Sequence, residues 1–291
     1  MQESSLNPRE ILLPVRDYNL AATLTSGQAF RWQAREEAWE SVIGKRWVRL
    51  RVRPEGLQAE TAEPQTDWDW LRHYLQADID LDAIVCSFPA DTPMRQSVAA
   101  CRGLRLLRQE PWECLASFIL SSTKQIVQIR QIIGLLCQRF GEPVVAPQGA
   151  EARTFPTAPA LASAGENDLR ACKMGFRAPH LLAAARRVTD GRLDLSALPS
   201  LPLEEARARL TELSGVGPKI ANCVLLFSYH FPAAFPVDVW VMKALRQLYF
   251  PKRRPRPQRL REFVATYFGP NAGYAQQYLF HYMRTRQPPD A

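Results

Sequence analysis

The residues best suited to covalent chemistry are Lys219, at the start of a predicted helix, and Asp238, further along the chain. Gly215 and Gly217 precede the lysine, and glycine permits positive φ values and close backbone approach. Pro218 suits the first position of a helix, which we predict over about residues 218–229. Unpaired N–H groups and the positive dipole end at such a helix start favour an anion. The pattern therefore predicts an amine and a phosphate-binding turn in one place.

Lys219 shares one face of that helix with Cys223 and Phe227, at i, i+4 and i+8. Burial and the helix N-terminus both favour a neutral amine, which is the form that attacks a sugar carbon to make an imine. Asp238 precedes a second helical pattern, VWVMKALRQLY. Aspartate is common at the N-cap of a helix, so Asp238 suits a plain N-cap. The same placement also suits a carboxylate that is directed into a cleft. A plain turn followed by a solvated lysine is the alternative interpretation.

A second helix is predicted immediately before the glycine turn. Leu203, Ala206, Leu210 and Leu213 share one face of it, which is the periodicity of an amphipathic helix. Residues from about 203 to 230 are therefore predicted to form a helix-hairpin-helix.

The rest of the chain predicts an α+β protein. Segments Ala38–Ile43 and Arg46–Val52 alternate in polarity around Gly44-Lys45, as in a β-hairpin. Further helices are predicted over residues 67–76, 94–100, 111–120, 125–140, 168–174 and 178–188, and residues 141–160 are predicted to be irregular. We expect a small N-terminal antiparallel β-sheet domain with a flanking helix (1–92), a larger helical domain (93–291) and an active-site cleft between them.

Composition narrows the class of protein. The chain has 291 residues and a net charge of +8, which favours a polyanionic partner. The basic run at 252–261 is by default a solvated loop, with phosphate contact and nuclear import as alternatives. The six cysteines form no CxxC pair, so we expect buried free thiols in a reducing compartment, no metal and no cofactor. With no signal-peptide pattern and no bilayer-length apolar run, we expect a soluble intracellular protein without membrane contact.

Four motifs occur in order along nearly the whole chain: SGQAFRW at 26–32, GLRLLRQEP at 103–111 with ECLASFI at 113–119, LSGVGPKIANC at 213–223, and YAQQYLF at 274–280. Together they resemble the helix-hairpin-helix DNA glycosylase superfamily, and within it the 8-oxoguanine DNA glycosylase/lyases. Non-catalytic DNA binders also use the hairpin motif, whereas the four motifs together are specific to this family.

The resemblance implies roles for individual residues. Lys219 matches the family's nucleophile and Asp238 its catalytic carboxylate. Gly27 matches the glycine whose carbonyl accepts the N7 hydrogen that 8-oxoguanine has and guanine lacks. With guanine, that buried acceptor would face a lone pair, a mismatch that costs on the order of 1–3 kcal/mol.

The resemblance also implies how the flipped base is held. Phe280 and Cys223 match the two surfaces between which the base stacks, and Gln276 matches the amide that contacts its Watson–Crick edge. Gln276 and Phe280 are four residues apart, so one helix face can carry both. Phe227, on the face of Lys219, completes the candidate substrate-binding residues.

Other positions are implied to contact the DNA itself. Phe176 matches an aromatic wedge and Arg177 a residue that contacts the base left behind, because extruding a nucleotide leaves a gap to be filled. Hairpin amides are expected to hold the strand, with a bridging cation left open. The candidates there are Gly215, Val216 and Gly217.

Three positions depart from the family's pattern. Thr123 and Gln128 stand where its best-known members have an asparagine and an arginine that recognise the orphaned cytosine. Trp240 stands where they have a phosphate-contacting histidine. Because glutamine cannot form a guanidinium fork, a preference for cytosine opposite the lesion is in doubt. Lys124 is a candidate to replace part of the lost contact.

The implied activity is base excision repair by a bifunctional DNA glycosylase and AP lyase, which removes 8-oxoguanine from duplex DNA through a Schiff base and β-elimination. The expected partner is double-stranded DNA containing oxidised guanine, bound by a monomer in a prokaryotic cytoplasm and nucleoid or in a nucleus. A monofunctional glycosylase for alkylated bases would keep Asp238 without needing Lys219. A non-catalytic damaged-DNA-binding module is the other alternative. A zinc deaminase is disfavoured because its H-x-E and P-C-x-x-C motifs are missing.

Overall fold

The computed structural model describes residues 8–121, 125–147, 149, 151–251 and 255–286. The strands in this part of the chain are β1 Glu10–Pro14, β2 Gln33–Arg35, β3 Ala38–Ile43, β4 Arg46–Arg53, β5 Gly56–Thr61, β6 Pro143–Val144 and β7 Ala152–Arg153. The α-helices are α1 Leu20–Thr25, α2 Asp69–Leu75, α3 Leu81–Cys86, α4 Thr92–Ala100, α5 Pro111–Ser121, α6 Ile126–Phe140, α7 Ala158–Ala162, α8 Glu166–Leu169, α9 Ala178–Thr189, α10 Leu203–Thr211, α11 Pro218–Tyr229, α12 Val239–Ala244, α13 Pro257–Tyr267 and α14 Ala272–Arg286.

Five N-terminal strands form an antiparallel sheet in the order β1-β5-β4-β3-β2. The predicted hairpin is confirmed: Val42 pairs with Trp47, and Gly44 takes the turn with a φ of +56°. In β5 the alternate residues Leu57, Ala59 and Thr61 are buried, as expected for a sheet with one covered face. The apolar residues of that face pack with α1 and α2 in a core that includes Leu13, Leu24, Trp32, Val48, Leu50, Leu57, Ala59, Leu71 and Leu75.

The larger core belongs to the helices. Residues 114–120 of α5 are all buried, which places this helix at the centre of the helical part. Helix α11 packs directly against α5 and against α10, and α12 packs against α14. The sheet followed by a helical assembly confirms the predicted α+β class.

The loop between α1 and β2 is fixed by one buried amide. Gln28 Nε2 donates to the carbonyl oxygens of Thr23 and Arg105, both at 2.9 Å. Its Oε1 accepts from the Leu107 N–H at 2.7 Å, and its own carbonyl accepts from Gln109 Nε2 at 2.7 Å. Because every polar atom of this side chain is bonded, the loop that carries Gly27 is held against the helical part.

Several predictions needed correction. The predicted helix over 168–174 is wrong from Arg170 onward: α8 ends at Leu169, and a π-helical turn follows in which Lys173 has a φ of +62°. Helices α1 and α3 were not predicted, because at six residues each they are too short to show a helical period. The irregular segment contains the short β6–β7 ladder. Cys86 is exposed, whereas the other five cysteines are buried free thiols as expected.

No helix in the described ranges is long and apolar enough to span a bilayer.

Candidate active site

The helix-hairpin-helix is present, and its two glycines have different functions. Gly215 has a φ of +80°, and a Cβ at this position would lie 2.7 Å from His180 Cγ, so only glycine fits. Gly217 has an ordinary φ of −96° and is the N-cap of α11, with Pro218 in the first turn. A Cβ on Gly217 would meet no atom within 4 Å. This side of the hairpin is therefore open to a ligand.

Lys219 lies half-buried in the first turn of α11 and points toward α5. Its Nζ donates to Ser121 Oγ at 3.2 Å and lies 5.1 Å from the centroid of the Phe118 ring. Burial raises the pKa of the Cys223 thiol, one turn further along, to about 11. The Lys219 amine opposes that rise and Asp238 adds to it, so the three groups lie near one another.

Asp238 caps α12, with its Oδ1 accepting from the Val241 N–H at 2.8 Å. The preceding segment is anchored by Asn222, whose Nδ2 donates to the Phe235 carbonyl at 3.0 Å. Burial raises the pKa of Asp238 above its ordinary value, while the Val241 N–H and the charge of Lys219 oppose the rise. Asp238 thus caps a helix, and its carboxylate interacts electrostatically with the Lys219 amine.

A second group of predicted residues lies between the 26–27 loop and α14. Gln277 Nε2 donates to the Ser26 carbonyl at 2.9 Å, which ties the loop to the helix. Gly27 has a φ of +75°, and a Cβ there would lie 3.4 Å from Phe280 Cε1. Gln276 is 3% exposed, and its Oε1 has no hydrogen-bond partner among the described residues. A buried, unpaired acceptor is costly unless a ligand satisfies it.

The two groups form one site. Helix α12 packs on α14, and Arg284 of α14 interacts electrostatically with Asp238. The Nη1 atom of Arg284 also lies 3.2 Å from the point where a Cβ would lie if residue 27 had a side chain. A separate cleft of about 820 Å³ lies between the sheet and α6, and neither Lys219 nor Asp238 lines it.

Two predicted site residues lie within the core. Phe227 is 3% exposed and stacks on Phe118 with ring centroids 5.6 Å apart, so the face it shares with Lys219 leads into the core. Val216 is buried, and its N–H donates to the Leu213 carbonyl at 3.0 Å, so this amide is not free for a phosphate. Both were assigned from position in the sequence, which does not show where a helix face becomes enclosed.

The predicted DNA-contacting residues have varied environments. Phe176 is 56% exposed, with the Arg177 guanidinium 4.8 Å from its ring centroid. Gln128 is exposed, and its Oε1 accepts from the Gln125 N–H at 3.2 Å, so it caps its own helix. Trp240 is half-buried at the start of α12. Thr123 and Lys124 lie outside the described residues.

Sequence reasoning missed three residues of this site. Ser121 and Phe118 contact the Lys219 amine from α5, and no local pattern marks them as its neighbours. Arg284 was detectable, since it continues the i, i+4 series begun by Gln276 and Phe280.

Comparison with known proteins identifies the family. Residues 10–115 match the model of the 8-oxoguanine DNA glycosylase N-terminal domain, and residues 116–270 match that of the HhH-GPD superfamily of base excision DNA repair proteins. The N-glycosylase/DNA lyase OGG1 of Arabidopsis thaliana is 31% identical over 91% of this chain and 77% of its own. A probable N-glycosylase/DNA lyase of Methanothermobacter thermautotrophicus is 28% identical over 94% of this chain and 95% of its own.

Solved structures give the same result. MBOgg1 in complex with a low-affinity DNA ligand superposes with a TM-score of 0.91 at 33% identity, covering 98% of both chains. The 8-oxoguanine glycosylase/lyase of Clostridium acetobutylicum, bound to duplex DNA with cytosine opposite 8-oxoguanine, gives 0.88 at 30% identity, covering 95% of this chain and 98% of its own. The chain therefore belongs to the 8-oxoguanine DNA glycosylase family of the HhH-GPD superfamily.

Proposed function

We propose that this protein is a bifunctional DNA glycosylase and AP lyase that removes 8-oxoguanine from duplex DNA in base excision repair. The observation that carries the proposal is the placement of the Lys219 amine, half-buried over the Phe118 ring and interacting with Asp238. Relatives named N-glycosylase/DNA lyase support both activities. A monofunctional enzyme has no need of an amine here, and a binding module needs neither the amine nor the carboxylate.

The first chemical step joins Lys219 to the sugar. The Nζ lone pair forms a bond to C1′ while the bond from C1′ to the base breaks, and the departing purine takes the electron pair and then a proton. Positive charge develops on the sugar, and the Asp238 carboxylate stabilises it. Loss of a proton from nitrogen and opening of the ring, with O4′ protonated, gives the imine. Removal of a 2′ hydrogen then expels the 3′ phosphate and nicks the strand.

Base recognition would use the residues around Gly27. The Gly27 carbonyl accepts N7–H, which guanine lacks, and the unpaired Oε1 of Gln276 accepts from the Watson–Crick edge. Phe280 supplies one stacking surface and Cys223 the other. Base flipping would require filling the vacated space in the duplex, for which the exposed Phe176 is suited.

The DNA strand would pass along the open side of Gly217, where its phosphates would meet the unpaired N–H groups of the first turn of α11. The net charge of +8 implies that binding weakens steeply as salt rises. We further propose that the chain acts as a monomer inside the cell, in a nucleoid or nucleus, and that it comprises a sheet domain (1–92) and a helical domain (93–291).

The test is a cleavage assay on duplexes with 8-oxoguanine opposite each of the four bases, beside duplexes containing 3-methyladenine or 7-methylguanine. We expect release of 8-oxoguanine with strand nicking, and no release of the alkylated bases. Lys45→Gln is the matched control for the nucleophile variant Lys219→Gln, since Lys45 is an exposed lysine in the β3–β4 turn, paired with Glu142, and its replacement should leave activity unchanged. Release of alkylated bases without nicking would establish the monofunctional alternative, and tight lesion binding without any release the binding module.

A further inference from the structure

Arg284 extends the series of α14 residues that face the 26–27 loop. It lies one turn after Phe280 and two turns after Gln276, on the same helix face. Its guanidinium carbon is 5.5 Å from the centroid of the Phe280 ring. Its Nη2 donates to the Thr25 carbonyl, so the side chain is held beside the loop rather than free in solvent.

The other terminal nitrogen of Arg284, Nη1, is buried and makes no hydrogen bond to any residue that the structure describes. Burial and the nearby charge of Arg130 lower the pKa of Arg284, with Asp238 opposing the shift. A buried cationic donor without an acceptor is costly, so the arrangement fits a ligand that supplies an acceptor at this point.

The position of Nη1 indicates which acceptor atom the ligand would supply. A Cβ on Gly27 would lie 3.2 Å from Nη1 and 3.4 Å from Phe280 Cε1, so the donor, the loop backbone and the stacking ring border one space. In an 8-oxopurine, N7–H and the oxygen on C8 are on adjacent ring atoms. A base that stacks on Phe280 and donates N7–H to the Gly27 carbonyl therefore presents its C8 oxygen beside Arg284.

Resting on the proposed function, we propose that Arg284 Nη1 donates a hydrogen bond to the C8 carbonyl oxygen of the damaged purine, as a second determinant of lesion selectivity beside Gly27. Guanine has a C–H at this position and offers no acceptor. The contact also strengthens during base release, because electron density moves onto the departing purine and a fixed cation stabilises it.

The first test compares two substrates of the same enzyme. Arg284→Met should slow single-turnover excision of 8-oxoguanine roughly 10- to 100-fold, the range for a hydrogen bond to a charged group. Nicking of duplexes that already contain an abasic site should stay within about twofold of wild type, because no base is present. An equal loss on both substrates would mean that Arg284 binds the DNA backbone and would overturn the inference. Arg286→Met is the matched control, an exposed arginine on the same helix bonded to the Tyr282 hydroxyl.

The second test separates contact from loop positioning. 8-Thioguanine keeps N7–H but replaces the C8 oxygen with a weaker acceptor. We expect the excision rate of 8-oxoguanine, divided by that of 8-thioguanine, to fall toward one in Arg284→Met. An unchanged ratio with both rates reduced would show that Arg284 only holds the loop. If Arg284→Met does not fold, Arg284→Gln replaces it, since its amide can keep a bond to the Thr25 carbonyl while its shorter, uncharged side chain lacks the second terminal nitrogen. Wild-type enzyme that nicks abasic DNA but releases no 8-oxoguanine would instead overturn the proposed function.

Discussion

Replacing Gly217 with alanine should weaken DNA binding without weakening the fold, while the same change at Gly215 should weaken the fold. At Gly215 the new methyl group meets the His180 ring at 2.7 Å, and the backbone has a φ of +80°. The left-handed backbone costs about 1–2 kcal/mol, and overpacking costs about 1–3 kcal/mol more. At Gly217 the φ is −96°, and a Cβ added there would have no atom within 4 Å, so neither cost applies.

Thermal melting and DNA titration measure the two effects separately. With about 2.1 cal/mol/K of unfolding entropy per residue, a loss of about 2–5 kcal/mol lowers the Tm of Gly215→Ala by about 3–8 °C. The Tm of Gly217→Ala should stay within about 1 °C of wild type, because the entropy lost from the unfolded chain offsets a weaker N-cap. Its Kd for duplex DNA should rise about tenfold or more, since the methyl group projects into the path of the strand. Unchanged binding by Gly217→Ala would refute the assignment of this surface to DNA.

Three further predictions follow from the burial of individual side chains. Asp238→Asn keeps a cap for the Val241 N–H but should slow base release at least about 100-fold. Because burial raises the pKa of Asp238, the charged carboxylate opposes folding at pH 8. At that pH the Tm of Asp238→Asn should therefore equal or exceed the wild-type Tm. The difference in Tm should shrink as the pH falls through the raised pKa, since the wild-type carboxyl group then becomes neutral. Iodoacetamide at pH 8 should label the exposed Cys86 and spare Cys223, whose thiol pKa is about 11, with activity retained; mass spectrometry of the peptides checks this. Phe176→Ala should leave Tm unchanged and reduce flipping of a 2-aminopurine reporter in duplex DNA.

The parts of the fold that sequence predicted are those with a local chemical cause. The β3–β4 hairpin follows from alternation around Gly44, and α11 follows from Pro218 behind two glycines. The π-helical turn at 170–174 was not predictable, because the residue with positive φ at the bend is Lys173, and a lysine in a sequence does not mark a left-handed backbone.

The candidate site was also predicted only in part. Lys219 and Asp238 were identified from residue type and position, and the resemblance supplied Gly27, Gln276 and Phe280. Burial alone did not separate the candidate site residues from their helical neighbours, because Phe227 and Gln276 are both 3% exposed. Phe227 is stacked on Phe118, whereas the Gln276 side chain has an oxygen with no hydrogen-bond partner among the described residues. The unpaired nitrogen of Arg284 became visible only with the tertiary structure.

The most direct test of the account is to trap and map the covalent adduct. Duplex DNA containing 8-oxoguanine is incubated with the enzyme and borohydride, which reduces an imine to a stable amine, and the cross-linked peptide is identified by mass spectrometry. The account predicts a single cross-link on Lys219, its loss in Lys219→Gln, and its retention in Lys45→Gln. A cross-link of equal yield in Lys219→Gln, or an adduct mapped to another amine, would contradict it.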